Sequence, residues 1–300
     1  MRGLGRWFHR PILSVVVVFY DMRREAERTL YSLTPAYQRG VSAWEYEVIA
    51  VDNGSRHPLD PTEVRRFGPQ FRHQFYPTDS PSPCVALNAM VKSARGRHVM
   101  CCIDGARILS PGILRHTLDI LSLFAHPFIY TLGMHLGQEL QNQALLNGYN
   151  QRVEDELLDT VDWRSNGYQL FRVACLAASS RHGPFGPMTE SNCFAMLKAD
   201  YLALGGYDER FQAAGGGYCN PDFFNRIHET AQFQPVRLLG EATFHQFHGG
   251  AATNVPPDQH PVDHQLQEKR HCNGEYHQRQ RQQHKLENRA GQTGTGAEQL

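Results

Sequence analysis

The sequence between residues 14 and 55 constrains the fold most, because it alternates strand-like and helix-like patterns over a short length. Residues 14–20 form an almost unbroken β-branched run, which suits a strand buried on both faces of a parallel sheet. After it, apolar residues recur every three or four positions and predict a helix with one apolar face. These residues are Met22, Ala26, Leu30 and Leu33. Residues 46–51 are a second apolar strand, so the sequence predicts a strand–helix–strand unit of an α/β sheet.

Polar side chains follow both of these strands at the point where each one ends. Asp21 follows the first strand, and Asp52 and Asn53 open a DNGS turn after the second. In open α/β sheets, ligands bind beyond the carboxyl ends of the parallel strands. We therefore expect these side chains to share one rim of the sheet and to contribute to a binding site.

Five sequence blocks occur in an order that resembles the family 2 glycosyltransferases, which have the GT-A fold. The first block is SVVVVFYDM followed by YEVIAVDNGS, and the second is ALN at 86–88 with Gly96. The others are CID at 102–104, LGGYDERF at 204–211 before an acid and Arg226, and FHQFH at 244–248. The resemblance covers roughly residues 12–250.

The resemblance implies an α/β fold, a GT-A-like nucleotide-diphospho-sugar transferase with a mostly parallel sheet flanked by helices. Residues 1–11 are then an amino-terminal extension, and residues 12–254 are the transferase domain. Within that domain, 12–110 would be the nucleotide-binding half and 111–254 the acceptor half. From residue 255 to 300 apolar residues nearly vanish, which predicts a disordered polar tail. The polar, proline-rich stretch 56–70 is predicted to be a loop.

The resemblance also implies which residues hold the donor nucleotide. The corner at the end of the first strand and the DNGS turn would hold the nucleoside, and Asp104 would address the diphosphate. A helix residue, Asn88, would face the cleft, although a polar residue there also suits a solvent-facing position. The nucleotide-binding residues implied in this way are Phe19, Tyr20, Asp21, Asp52, Asn53, Asn88 and Asp104.

A divalent metal, Mg or Mn, is the cofactor that the resemblance implies. Asp104 matches the first acid of the family's Asp-x-Asp motif, but Ala106 replaces the second. Because a hard cation needs several oxygen ligands, the missing acid weakens the predicted site. The metal would then rest on Asp104, on His245 or His248, and on substrate phosphate. We expect it to bind weakly alone and better with nucleotide.

The catalytic base does not fall at the positions where the resemblance would place it. Cys219 and Asn220 occupy the positions of the family's acidic pair, and an amide is no useful base. The nearest acid downstream is Asp222, predicted here as the base, although its place at a helix start favours the ionised form and lowers its basicity. Glu190, at the end of the glycine- and proline-rich loop 178–191, is the reserve candidate.

These assignments predict a hexosyltransferase-type enzyme that moves a sugar from a nucleotide-sugar, a UDP-sugar, to an acceptor hydroxyl. The resemblance implies inversion at the anomeric carbon, a glycan or lipid-linked acceptor, and a role in glycan or polysaccharide synthesis. A non-catalytic module that binds nucleotide-sugars or glycans is an alternative, which the replacements at Ala106 and Asn220 would suit. A nucleotidyltransferase is a further alternative, but it needs a glycine-rich loop where this chain has FYDM.

The composition limits which binding partners and which cellular location we expect. Thirty basic and thirty acidic residues give no formal net charge, which argues against a nucleic-acid partner. No apolar run approaches the roughly 20 residues that span a bilayer. The basic and aromatic start, with Arg2, Arg6, Trp7, Phe8 and Arg10, suits either contact with a membrane surface or a frayed terminus. Seven cysteines without a C-x-x-C pair suit reduced thiols, so we expect a cytoplasmic protein, at the inner face of the membrane if that contact is made.

Overall fold

The structure is a computed structural model, and it describes residues 10–250 and 254–255. The predictions made for residues 1–9, for Cys272 and for the polar tail beyond residue 255 lie outside the described residues. The six cysteines within them are all free thiols. No helix in the described part of the chain is both long enough and apolar enough to cross a membrane.

Nine strands in the described ranges form one sheet, in the order β3-β2-β1-β4-β8-β6-β9-β5, with β7 paired to β6. They are β1 Leu13–Phe19, β2 Tyr46–Asp52, β3 Phe71–Phe75, β4 His98–Cys102, β5 Arg107–Leu109, β6 Pro127–Leu136, β7 Ala174–Leu176, β8 Cys193–Leu197 and β9 Gln234–His245. The α-helices are α1 Arg23–Tyr31, α2 Pro61–Arg66, α3 Cys84–Ser93, α4 Ile113–Leu121, α5 Gln141–Ala144, α6 Gln151–Asp159, α7 Lys198–Ala203 and α8 Cys219–His228.

The predicted strand–helix–strand unit is confirmed at β1, α1 and β2. Every residue of β1 is buried, as its unbroken apolar run requires, and β1 pairs in parallel with both β2 and β4. Ala26 and Leu30 of α1 belong to the same core cluster as Val15 and Val17 of β1. The apolar helix face therefore packs on the sheet, and the predicted α/β fold is confirmed.

The second half of the sheet is mixed, and it brings distant parts of the chain together. β8 runs antiparallel to β4, β6 runs antiparallel to β8, and β9 runs parallel to β6. The short strand β5 pairs antiparallel with the end of β9, which sets Arg107 opposite His245. The segment after β4 and the segment at the end of β9 therefore meet at one edge of the sheet.

The prediction that residues 56–70 form a loop is wrong between residues 61 and 66, where α2 lies. The Asp60 side chain accepts a hydrogen bond from the Thr62 N–H, which makes Asp60 the N-cap of the helix. Pro61 takes the first helical position, where its missing N–H costs nothing. One of the prolines that indicated a loop in this stretch, Pro61, therefore starts a helix.

Candidate functional site

The candidate site lies at the carboxyl edge of β1, β2 and β4, where Asp104 follows β4. Gly105 carries this turn against β1, since a Cβ on it would lie 2.3 Å from the Phe19 ring and 2.5 Å from the Val18 carbonyl oxygen. The Thr29 hydroxyl donates to the Gly105 carbonyl at 2.6 Å. Asp104 is therefore held at the rim by contacts that a larger residue at position 105 would disrupt.

Two histidines meet Asp104 at this edge. His245 Nε2 lies 3.1 Å from Asp104 Oδ2, and His248 Nε2 lies 3.8 Å from Oδ1. One ligand atom from each of the three residues lies within 4.8 Å of the others. The structure thus brings together the three residues that the sequence predicts as metal ligands.

The hydrogen bonds of His245 fix which of its nitrogens faces the carboxylate. Gln141 Nε2 donates to the His245 carbonyl at 2.9 Å, so Gln141 Oε1 is turned toward His245 Nδ1, 2.6 Å away. Nδ1 therefore carries the ring proton, which leaves Nε2 as an acceptor facing a carboxylate oxygen. Burial lowers the pKa of His245 to about 4, so the ring is neutral at pH 7. His245 Nε2 and Asp104 Oδ2 are thus two acceptors 3.1 Å apart that could bind a cation between them, and we call this pair the cation seat.

The donor set favours some cations over others. One carboxylate and two imidazoles suit a divalent transition metal such as Mn²⁺ better than Mg²⁺, which prefers oxygen ligands. Ala106 is fully buried and contributes only its N–H, which donates to Asp104 Oδ1 at 3.0 Å. The residues present therefore fit a metal, with fewer acids than the family motif supplies.

Arg107 is a second positive group at the site. It is 5% exposed, and its Nε lies 3.1 Å from Asp104 Oδ2 without making a hydrogen bond. Its Nη1 is buried and has no hydrogen-bond partner among the described residues. Burial acts to raise the pKa of Asp104, but His245, which is protonated at the low pH where Asp104 titrates, and Arg107 hold the pKa of Asp104 well below its usual range. The guanidinium therefore shares the carboxylate with any bound cation and lowers the affinity for it.

A buried network holds the histidine segment in place. Glu154 has no exposed surface and accepts a hydrogen bond from the Phe247 N–H at 2.7 Å. Arg24 contacts Glu154 at 3.3 Å, and burial raises the pKa of Glu154 to about 7. The Asn254 side chain accepts from the His248 N–H at 3.0 Å. These bonds fix the backbone on both sides of Phe247, and with it the direction of both imidazoles.

The corner after β1 divides into a buried and an exposed part. Phe19 is fully buried and belongs to the core, whereas Tyr20 is 44% exposed at the rim. Asp21 has a positive φ of 49°, which aspartate tolerates better than most residues. Its carboxylate accepts from the His57 N–H at 3.0 Å and faces Arg56. Tyr20 and Asp21 therefore reach the surface at the rim and Phe19 does not, and their contact with a nucleotide stays a prediction.

Asp52 and Asn53 are directed inward. Asp52 is fully buried, and its two oxygens accept from the Ser55 N–H at 2.9 Å and the Leu59 N–H at 2.8 Å. The Asn53 amide donates to the Ser82 carbonyl at 3.3 Å. Asp52 therefore organises the DNGS turn, and its contact with a nucleoside stays a prediction.

Replacing Asp52 by alanine is expected to lower the free energy of unfolding by about 3 kcal/mol, because two buried N–H groups lose a charged acceptor worth about 1.5–3 kcal/mol each. Urea unfolding followed by circular dichroism measures this. Asp60→Ala, which removes the exposed N-cap of α2, is the matched control, with an expected loss of about 1 kcal/mol. A loss at Asp52 no larger than at Asp60 would contradict the assignment.

Asn88 is not the solvent-facing residue that one interpretation of the sequence expects, since it is 4% exposed. Its amide donates to the Tyr207 carbonyl at 2.8 Å and to Glu209 Oε1 at 3.0 Å. Its Oδ1 accepts from the Tyr201 hydroxyl and from the Tyr207 N–H. Asn88 therefore anchors the turn before residue 210, and these bonds use the groups that a ligand would otherwise meet.

Asp222 lies in the first turn of α8, in an ion pair with Arg226 at 2.8 Å. Arg226 also donates to the carbonyls of Leu204 and Gly206. Burial raises the pKa of Asp222 although Arg226 acts to lower it, so the expectation that the helix start lowers its basicity is wrong. The hydrogen bonds of the pair give Asp222 a structural role in joining α8 to the turn after α7.

Glu190 stands in a different environment. Burial raises the pKa of its carboxyl group, while Arg107 and a hydrogen bond from Asn192 act to lower it. The negative charge of Asp104 also acts to raise the pKa of Glu190, so the two carboxyl groups are close enough to influence each other electrostatically. Asn192 in turn accepts from the Asn220 amide at 2.7 Å. The reserve candidate therefore lies within the electrostatic influence of Asp104 and Arg107, and Asn192, two residues after it, binds Asn220.

Sequence reasoning missed four residues that shape this site. His135 lies beside His245 with ring centroids 5.4 Å apart, and Arg107, Gln141 and Glu154 have the contacts given above. Arg107 carried a signal, because a cation three residues after Asp104 is visible in the sequence. Gln141 and Glu154 carried none, because only the fold brings their helices against the end of β9.

Comparison with known proteins shows the fold. No protein-family model matches the sequence, and no curated protein matches it. The chain is similar to crystal structures of S. aureus TarS 1–349, at 14% identity and a TM-score of 0.52 over 78% of this chain. TarS 1–349 in complex with UDP gives a TM-score of 0.53 at 14% identity, covering 79% of this chain and 61% of that one. In complex with UDP-GlcNAc it gives 0.51 at 13% identity, covering 79% and 59%. The chain spans 60% of the length of the first of these structures.

Proposed function

We propose that this protein is a glycosyltransferase that moves a sugar from a nucleotide-sugar, a UDP-sugar, to an acceptor hydroxyl. The observation that carries the proposal is the cation seat formed by Asp104 and His245 at the carboxyl edge of a GT-A-like sheet. Such an edge is where open α/β sheets bind their ligands. The UDP and UDP-GlcNAc bound by TarS support a uridine nucleotide as the donor.

The donor diphosphate would lie against Asp104, His245, His248 and Arg107. A divalent metal held by the first three would neutralise charge on the diphosphate as it leaves. Arg107 adds a fixed positive charge beside them, within a buried setting where electrostatic interactions are stronger than in water. Tyr20, exposed at the same rim, and the half-buried Asp21 beside it would contact the nucleoside.

Glu190 is the base in this proposal. The bond between the anomeric carbon and the diphosphate oxygen breaks, the acceptor oxygen forms the new bond, and the hydroxyl proton passes to the Glu190 carboxylate. A raised pKa suits this role, because it makes the carboxylate a better proton acceptor near neutral pH. Direct displacement by the acceptor inverts the anomeric carbon. A glycan or lipid-linked acceptor, and a place in glycan or polysaccharide synthesis, belong to the same proposal.

A second candidate function is a non-catalytic nucleotide-sugar-binding module. The observation that favours it is Asn220, whose amide is bound to Asn192 where the family resemblance expects an acid. Such a module would bind the nucleotide-sugar at the same site but would transfer no sugar to an acceptor.

Calorimetry with UDP, UDP-GlcNAc and GDP, each with Mn²⁺ and with a chelator, tests the donor site. We expect UDP to bind more tightly than GDP and more tightly with Mn²⁺. Incubation with UDP-sugars and sugar acceptors, followed by mass detection of UDP and product, then separates the enzyme from the binding module. Failure of every uridine nucleotide to bind would contradict both candidates, whereas binding without turnover would favour the module.

A further inference from the structure

Basic side chains gather at the edge of the sheet opposite the candidate site. They surround a shallow depression of about 1020 Å³ at the amino-terminal ends of β1 and β4. The cationic residues that line it are Arg10, Arg95, Arg97 and Lys198. No aspartate or glutamate lines it, although the chain as a whole is neutral. We call this surface the basic edge.

The acid nearest to the basic edge does not cancel its charge. Glu47 is 1% exposed and is shared between Arg95 at 2.8 Å and Arg72 at 3.3 Å. Lys198 Nζ donates to the carbonyls of Lys92 and Ala94, which fixes this ammonium group beside the end of α3. Arg10 and Arg97 are exposed and enter no ion pair within the described residues. The depression therefore keeps a net positive charge.

Apolar side chains stand beside these cations. Ile12, which lines the depression, is 39% exposed. Its N–H donates to the Glu45 carbonyl at 2.8 Å, and the neighbouring Trp44 is 57% exposed. Exposed tryptophan beside arginine and lysine is typical of surfaces that meet the headgroup region of a bilayer. The lack of a net positive charge over the whole chain argues against nucleic acid as the partner of this surface.

We propose that the basic edge binds the surface of a membrane rich in anionic lipids. The cations would pair with the headgroups while Ile12 and Trp44 enter the interfacial layer. The sequence before Arg10 adds Arg2, Arg6, Trp7 and Phe8, the same kinds of residue in the same part of the chain. The proposal does not depend on glycosyl transfer, since Asp104 lies at the other edge of the sheet.

Sedimentation with vesicles of phosphatidylcholine, pure or with 30 mol% phosphatidylglycerol, tests the proposal, with roughly 30% anionic lipid chosen to give a surface potential. We expect binding to the anionic vesicles alone, weakened by salt. Arg10→Gln with Arg97→Gln should reduce the partition coefficient roughly 30-fold, since each cation near such a surface contributes about fivefold. The control is Arg65→Gln with Arg66→Gln, which removes the same charge from exposed positions on α2. It should bind as the unaltered protein does.

Tryptophan fluorescence gives a second readout. The emission should shift to the blue on anionic vesicles, and Trp44→Phe should remove part of that shift, while UDP affinity stays unchanged in both variants. Three outcomes would overturn the proposal: no difference between the two vesicle types, equal binding by the Arg10/Arg97 variant, or binding to a DNA duplex but not to vesicles. Loss of binding on deletion of residues 1–9, with the Arg10/Arg97 variant unaffected, would likewise assign the contact elsewhere.

Discussion

Replacing Glu190 by glutamine is expected to reduce turnover by roughly 10²–10⁴-fold, the contribution of a positioned general base. Glutamine keeps the size of the side chain and its polar oxygen, but it is uncharged and has no basic oxygen. Donor binding should therefore stay close to that of the unaltered protein. Initial rates at saturating UDP-sugar and acceptor, together with UDP calorimetry, measure the two effects separately.

Asp222→Asn is the matched control for this result. It removes the other candidate carboxylate, whose partner Arg226 is tied to the carbonyls of Leu204 and Gly206. We expect a loss of thermal stability, because a partly buried cation loses its counter-charge, and turnover within about tenfold of normal. The reverse pattern, with Asp222→Asn inactive and Glu190→Gln active, would assign the base to Asp222.

The raised pKa of Glu190 sets the sign of the pH dependence. The base must be ionised, so kcat/KM should fall as the pH drops through the pKa of this carboxyl group. Because burial raises that pKa, the fall should begin above the ordinary glutamate value of about 4.3. Glu190→Gln should remove this limb of the profile along with the rate.

Replacing Asp104 by asparagine is expected to weaken Mn²⁺ binding in the presence of UDP by roughly 100-fold or more. The carboxylate is the one anionic ligand that the protein supplies in the cluster of Asp104, His245 and His248, and loss of even an outer-shell partner typically costs 10–100-fold. The change also leaves the buried Arg107 without its counter-charge, which should cost about 3–5 kcal/mol of stability. Electron paramagnetic resonance of Mn²⁺ and thermal denaturation measure these losses.

The variant Arg107→Gln distinguishes the effect of the guanidinium group from that of the proposed metal ion. Without the guanidinium beside Asp104, Mn²⁺ should bind more tightly, because a like charge has been removed. UDP affinity in the presence of chelator should fall, because a positive charge facing the diphosphate is lost. If Asp104→Asn leaves Mn²⁺ binding intact, or Arg107→Gln weakens it, the proposed cation seat is wrong.

The parts of the fold that sequence reasoning predicted are those with a local pattern. β1 is an unbroken apolar run, α1 has a 3.6-residue period, and Asp104 ends a strand, so each is visible within a few residues. Gln141 and His135 are not predictable in this way. Their place depends on β6 running beside β9, a pairing between segments far apart in the chain.

The ranking of the two carboxylates shows the same limit. Asp222 lies two residues from Asn220 in the chain, yet its charge is committed to Arg226. Glu190 is thirty residues from Asn220 in the sequence, but the amide of Asn220 donates to Asn192, which lies two residues after Glu190. Closeness to Asn220 in the sequence therefore favours Asp222, whereas the electrostatic influence of Asp104 and Arg107 favours Glu190.

The pairing of β5 with β9 also decides when the site comes into existence during synthesis. Contacts across this pairing, such as that of Ser110 with Glu241, join residues 131 positions apart. The ribosome adds about 5–20 residues per second, so it needs roughly 7–26 s to synthesise that interval. Until the end of β9 has been made, Asp104 has neither histidine beside it. The amino-terminal parallel strands can pair first, but a nascent chain that stops before His245 has no complete ligand set. A ligand that needs these histidines could therefore stabilise the chain only after residue 248 has been made, and it could not assist the earlier steps of folding.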